Sequence, residues 1–140
     1  MKQELVDKIL NIAPKLYYNE PDPFDVGRLS PNNLKRFYGP PYFSVSDGWF
    51  SILYNLSEKL EAMDGVSDVR VVQIKEKFGG LRFYLSSETA EMSDAIDKAE
   101  TASYYSCELC GGPGKLRHDL GWVTTLCEAH YNERNKDANL

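Results

Sequence analysis

A chain of 140 residues, 42% hydrophobic and 26% charged, has the composition of one globular domain with an ordinary core, with room for a small second module but not for a second full domain. Its 16 basic and 21 acidic residues give a net charge of -5, which argues against broad attraction to nucleic acid or anionic membrane and leaves only a local basic patch open. No apolar run approaches the roughly 18 residues of a membrane span, and the opening MKQELVDKILNIAPK mixes charge with apolar residues where a secretory signal would not. The expectation is a soluble, cytoplasmic protein without a membrane partner.

Leu5, Ile9 and Ile12, with Val6 and Leu10 alongside, have the spacing of a short amphipathic helix over residues 2–12 that stops before Pro14. Six of the seven prolines then fall between Pro14 and Pro41, so turns and extended pieces are expected there. The same stretch holds Tyr17, Tyr18, Phe24, Phe37, Tyr38, Tyr42 and Phe43, too many rings for a free linker, and residues 14–46 therefore read as a strap packed on the domain. An alternative use of those rings is a subunit interface in a homo-oligomer.

Asp47 is placed to cap a second helix whose apolar positions are Trp49, Ile52, Leu53, Leu56, Leu60 and Met63, with Gly65 as a left-handed terminator. The β-branched run Val69–Lys77 and the segment Leu81–Leu85 read as two antiparallel strands across Gly79-Gly80. With those glycines as the turn, Lys77 faces Arg82, Glu76 faces Phe83 and Lys75 faces Tyr84. One face then carries Val72, Ile74, Phe78, Leu81, Phe83 and Leu85; the other carries Gln73, Lys75, Lys77, Arg82 and Tyr84. Glu76 falls on the apolar side and is expected to escape to solvent near the turn rather than pair with a cation. Lys75, Lys77, Arg82 and Tyr84 form a candidate ligand site for a phosphate or an acidic partner loop; the plainer reading is a solvated face whose lysines discourage edge-to-edge aggregation. A third helix follows, with Met92, Ala95, Ile96, Ala99, Ala102 and Tyr105 on one face.

The three cysteines lie between Cys107 and Cys127, an odd number suited to metal ligation in a reducing compartment. Cys107-Glu-Leu-Cys110 and Cys127-Glu-Ala-His130 form a CxxC and a CxxH pair, each able to grip one ion, and together they fill a zinc tetrahedron. Such a closed set predicts a structural Zn2+ that folds a segment too short to bury its own core. A small hairpin over 115–126 and a terminal helix from Glu128 complete an order that resembles the treble-clef zinc finger. His118 is an alternative fourth ligand without the two-residue spacing. Treble-clef scaffolds also support HNH-type nucleases, and Arg117-His118-Asp119 imitates part of that site. The imitation is incomplete, because the chain has two histidines and His130 is assigned to the structural ion.

The sequence thus predicts an α+β protein: a body over 1–106 in which helices pack on an antiparallel hairpin, and a zinc-binding module over 107–140 packed on it. KEKFGGLRFY, together with DGWFSILYNLSEKLE upstream and CELCGGPG and TLCEAH downstream, resembles small uncharacterised proteins of bacteriophages and prophages across about residues 47 to 131. That resemblance implies a viral accessory or anti-defence factor. The functional expectation is a noncatalytic binding protein for a host protein or an anionic small molecule; the alternative is a nucleic-acid binder or HNH-like nuclease built on the zinc module.

Overall fold

The computed structural model describes residues 1–17 and 43–138. Helix α1 (Gln3–Ile12) buries Val6, Ile9 and Leu10, the stripe its sequence spacing predicts. The chain resumes a helical turn at Pro14, α2 (Pro14–Tyr17), where a turn or extended piece is predicted. Proline suits a first helical position because it has no N–H to satisfy there. The next two N–H groups, of Lys15 and Leu16, each donate to the Glu61 carboxylate at 2.9 Å. Of the predicted strap, Tyr17 and Phe43 are buried with ring centroids 5.9 Å apart, and the Tyr17 hydroxyl bonds that of Ser57 at 2.7 Å. Burial pushes the Tyr17 phenol well above its ordinary value. Tyr18, Phe24, Phe37, Tyr38 and Tyr42 lie outside the described residues.

Strand β1 (Phe43–Ser44) pairs in parallel with β2 (Val71–Lys77), placing Phe43 opposite Ile74. Two residues are too few for an alternation to register, so sequence pattern predicts only the hairpin that β2 opens. Between β1 and β2 runs a 3-10 turn over Asp47–Trp49 followed by α3 (Phe50–Glu61), which buries Leu53, Leu56, Ser57 and Leu60 beneath Trp49. The expected Asp47 cap is corrected. The 3-10 turn separates Asp47 from the first turn of α3, and its carboxylate instead accepts the Lys2 N–H at 2.8 Å, at the start of α1. Gly65 is left-handed, at a φ of 86°, but it does not terminate α3: the helix ends at Glu61 with Ala62 as its cap, and Gly65 opens the 3-10 turn Val66–Asp68.

Strand β3 (Gly80–Leu85) completes a three-stranded sheet in the order β1-β2-β3. The hairpin turns on Phe78-Gly79, not Gly79-Gly80: both have positive φ, 52° and 83°, the pattern of a type I′ turn. Lys75 therefore faces Arg82, Glu76 faces Leu81, and Ile74 faces Phe83. Each strand shifts by one residue relative to the predicted pairing, so partners still share a face, and Ile74, Leu81 and Phe83 are buried as expected. Val72 and Phe78 leave the apolar face, at 55% and 66% exposure, because an irregularity in β2 buries Val71 and the turn projects Phe78 outward. Glu76 is half-buried rather than free in solvent, and among the described residues it has no ion-pair partner; its carboxylate accepts the Gly79 N–H at 2.8 Å and closes the turn.

Helix α4 (Ala90–Ser103) starts at Thr89, whose hydroxyl accepts the Met92 N–H. It buries Met92, Ala95, Ile96 and Ser103, while Ala102 and Tyr105 are exposed, contrary to the predicted face. The stripe turns to Ser103 because the helix lies along the open edge of β3. Ser103 Oγ accepts the Leu81 N–H at 2.9 Å, and the Glu100 carboxylate accepts that of Phe83 at 2.9 Å. Burial raises the Glu100 carboxyl above its ordinary value, against the lowering pull of the Phe83 N–H and Arg82. Side chains from a helix thus satisfy an edge that would otherwise invite another strand. Ser103→Ala is expected to cost about 1–3 kcal/mol by orphaning the buried Leu81 N–H, measured by urea denaturation. A change below about 0.5 kcal/mol would show that water replaces the hydroxyl.

Helices and sheet share one core centred on Trp49, Ile74, Leu81, Phe83 and Met92. The mixed helix-and-sheet architecture is α+β. After α4 the chain forms a turn over 107–112, a two-stranded sheet of β4 (Lys115–Arg117) and β5 (Thr124–Leu126), and helix α5 (Glu128–Ala138). This segment has its own small cluster of Cys107, Leu120 and Leu126.

Candidate metal centre

The turn after α4 is set by its backbone: Gly111 N–H donates to the Cys107 carbonyl and Cys107 N–H to that of Gly112, both at 2.8 Å. Gly111 takes the left-handed conformation this loop requires, at a φ of 79°. Cys127 precedes α5, and its sulfur accepts the His130 N–H at 3.5 Å in the manner of an N-cap, so a thiolate there also meets the positive end of the helix. The ligand atoms of Cys107, Cys110, Cys127 and His130 lie within 4.8 Å of one another. Cys110 Sγ is 3.8 Å from Cys127 Sγ, and His130 Nδ1 is 3.5 Å from Cys107 Sγ and 3.2 Å from Cys127 Sγ. Tetrahedral bonds of about 2.3 Å to sulfur and about 2.0–2.1 Å to nitrogen require about 3.8 Å between sulfurs and about 3.6 Å from sulfur to nitrogen. The cluster therefore has the dimensions of a structural metal site such as one for zinc, and the four predicted ligands are brought together.

The four are not equivalent. Cys107 is fully buried and Cys110 exposed. Burial alone would raise the Cys107 thiol, but backbone N–H groups of Cys127, Cys110 and Leu109, with His130, outweigh it and bring the thiol down to about 6. Cys110 is held above the usual thiol range even though the Gly112 N–H favours its thiolate; slight desolvation and its neighbours Cys107 and Cys127 oppose it.

His118 is exposed and outside the cluster, which removes it as the fourth ligand. Its neighbours hold α5 on the hairpin. Arg117 lies over the Tyr131 ring at 4.2 Å and donates to the Leu126 carbonyl and to Glu128, while Asp119 accepts the Tyr131 hydroxyl. No described residue joins His118 in a second group of metal-ligating side chains.

The predicted hairpin ligand residues divide. Arg82 donates to the Tyr104 hydroxyl at 3.0 Å and to the Leu81 carbonyl at 2.9 Å; the Tyr104 bond holds its guanidinium above the ordinary value. It is a packed structural cation. Lys75 sits 5.8 Å from the centre of the exposed Tyr84 ring, and Lys77 is exposed beside Phe78.

Sequence reasoning missed the role of the hairpin tip. Gly79 is seated against the β4–β5 hairpin, where an added Cβ would lie 2.4 Å from Leu116 Cδ1 and 3.3 Å from Val123 Cγ1, and its carbonyl accepts the Thr125 hydroxyl at 2.6 Å. A second seam joins Gly48 N–H to the Glu108 carbonyl at 2.8 Å and Trp49 Nε1 to the Ser106 carbonyl at 3.0 Å. The Glu108 carboxylate accepts the Ser46 N–H across the same seam, and burial raises its carboxyl above the ordinary value against the pull of that bond. The unusual glycine pair in KEKFGGLRFY was the available signal, with Gly80 closed off by the Tyr104 ring.

No protein-family model, curated protein or solved structure matches the chain. Among the described residues, no helix is long and apolar enough to cross a membrane.

Proposed function

We propose that the chain is a noncatalytic binding protein in which a structural zinc, held by Cys107, Cys110, Cys127 and His130, fixes a treble-clef-like module against an α+β body. The observation that carries this reading is the ligand set: four protein side chains whose ligand atoms lie within 4.8 Å of one another would fill a tetrahedral ion and leave no position for a water or substrate. The zinc-first order of turn, hairpin and helix supports the treble-clef assignment. The nuclease alternative loses its supports, since Arg117 and Asp119 are engaged with α5 and His130 belongs to the cluster. The resemblance to phage proteins supplies the biological setting, a viral accessory factor acting on a host component.

Metal analysis of protein purified without chelator is expected to give about one zinc per chain, and incubation with DNA or RNA in magnesium or manganese is expected to leave the substrate intact. His118→Ala is expected to change neither metal content nor stability by more than about 0.5 kcal/mol. Metal-free folded protein would reject the zinc assignment, and cleavage abolished by His118→Ala would establish the nuclease.

A further inference from the structure

Two exposed aromatic side chains stand on either side of the seam between the hairpin tip and the metal module. Phe78 is 66% exposed and Trp122 is 56% exposed. Their chain neighbours Gly79 and Val123 pack together, and the Thr125 hydroxyl bonds the Gly79 carbonyl at this contact, so both rings are mounted on a joined part of the fold. Each ring has its own cation: Lys77 Nζ lies 5.6 Å from the Phe78 centroid and the Arg134 guanidinium 5.7 Å from that of Trp122. Two nearby acids are engaged elsewhere, Glu76 with the Gly79 N–H and Glu108 with the Ser46 N–H, while Asp119 accepts the Tyr131 hydroxyl and Glu133 beside Arg134 is exposed.

Phe78 also holds a left-handed φ of 52°. A bulky residue is strained there, whereas asparagine or glycine occupies the same turn position with less cost. A turn shaped by folding alone would carry one of those residues and would not present a large apolar ring to water. The strain and the exposure at one residue point to a surface contact.

We propose that Phe78 and Lys77, with Trp122 and Arg134, form a docking surface for single-stranded nucleic acid. Each ring-and-cation pair matches one nucleotide, with a base stacked on the ring and a phosphate beside the cation. A polynucleotide repeats that pairing of flat base and anion in every unit; an acidic peptide supplies the charge without an obligatory planar partner. The net charge of -5 keeps the interaction weak and confines it to low salt. The surface deepens the noncatalytic binding reading and rests on it.

The test titrates the metal-loaded full chain with an unlabelled oligothymidylate of about 15 nucleotides, near the upper end of single-strand site sizes, while following tryptophan fluorescence. Trp49 is fully buried, so saturable quenching reports Trp122. Two phosphate contacts predict a log–log salt slope of about -1.4, or about sevenfold weaker binding from about 50 to about 200 mM salt. Phe78→Asn is expected to fold at least as stably and to bind at least about fivefold more weakly, and Trp122→Ser to weaken binding similarly when a labelled oligonucleotide is followed by anisotropy. The proposal is overturned by absence of binding at low salt, by equal affinity for a duplex of the same length, by unchanged affinity in a folded Phe78→Asn, or by preference for polyglutamate or anionic vesicles. Zinc content and nuclease activity measured on the same sample separate the two readings: one bound zinc without oligonucleotide binding sinks this surface alone, whereas cleavage sinks the noncatalytic function.

Discussion

Stripping the metal is expected to unfold residues 107–138 while the body keeps its sheet and helices. The segment's own core consists of Cys107, Leu120 and Leu126, and one of those is itself a ligand. Two buried leucines, at about 1.5–3 kcal/mol each, cannot order a turn, a two-stranded sheet and a helix whose exposed face is polar throughout. Structural zinc in comparable small modules supplies about 10–16 kcal/mol of apparent free energy, all of it available only to the folded form. Cys107→Ser is expected to reproduce chelation more fully than Cys110→Ser, because Cys107 is fully buried and held by backbone N–H groups while Cys110 lies at the surface. Amide hydrogen exchange with and without chelator is the measurement. Protection should collapse from Cys107 onward and weaken at Gly48, whose N–H donates to the Glu108 carbonyl in the module. Protection retained across 107–138 in metal-free protein would mean that the body alone templates the module.

The same contrast between local and distant determinants decides how much could be read from the chain. Cys107, Cys110, Cys127 and His130 were legible because ligand pairs two residues apart are a local signature, and any fold that closes the site must bring the pairs together. Ile74, Leu81 and Phe83 were legible because strand alternation fixes a face even when the pairing shifts by one residue on each side. The turn was misplaced because Gly79-Gly80 looks like the obvious hinge. In the fold Gly79 serves the turn and the Leu116 contact, Gly80 makes room for Tyr104, and a strained Phe78 takes the other turn position. Asp47 was misread and Ser103 passed over for a common reason: each partner is tertiary, Lys2 at the start of the first helix and Leu81 across a strand edge. Periodicity carries no information about which distant N–H group lacks an acceptor.

Gly48→Ala is expected to be the most damaging single substitution outside the metal ligands, at about 3–5 kcal/mol. A Cβ at residue 48 would lie 2.2 Å from the Cys107 carbonyl oxygen and 2.5 Å from that of Glu108, and both obstructing atoms are backbone. They belong to the metal-binding turn and cannot rotate away. From the other side, a Cβ at Gly111 would lie 2.8 Å from the Gly48 carbonyl oxygen, so the two backbones are already close-packed here and neither partner can yield. Overpacking costs about 1–3 kcal/mol. Separating the surfaces would also break the Gly48-to-Glu108 and Trp49-to-Ser106 hydrogen bonds, at about 1 kcal/mol each. Gly80→Ala meets the Tyr104 ring, and Gly79→Ala clashes closely only with the end of the Leu116 side chain, with Val123 Cγ1 at 3.3 Å and the Thr124 backbone carbon at 3.4 Å, so relief by side-chain movement makes both milder apart from the backbone strain at Gly79. Because the four ligands come from the module alone, Gly48→Ala should retain its metal while Trp49, now fully buried, shifts its fluorescence to the red. Denaturation and metal analysis on one preparation therefore separate the joint from the site. A variant that keeps both its metal and its full stability would show that the body and module are held together by contacts other than this seam.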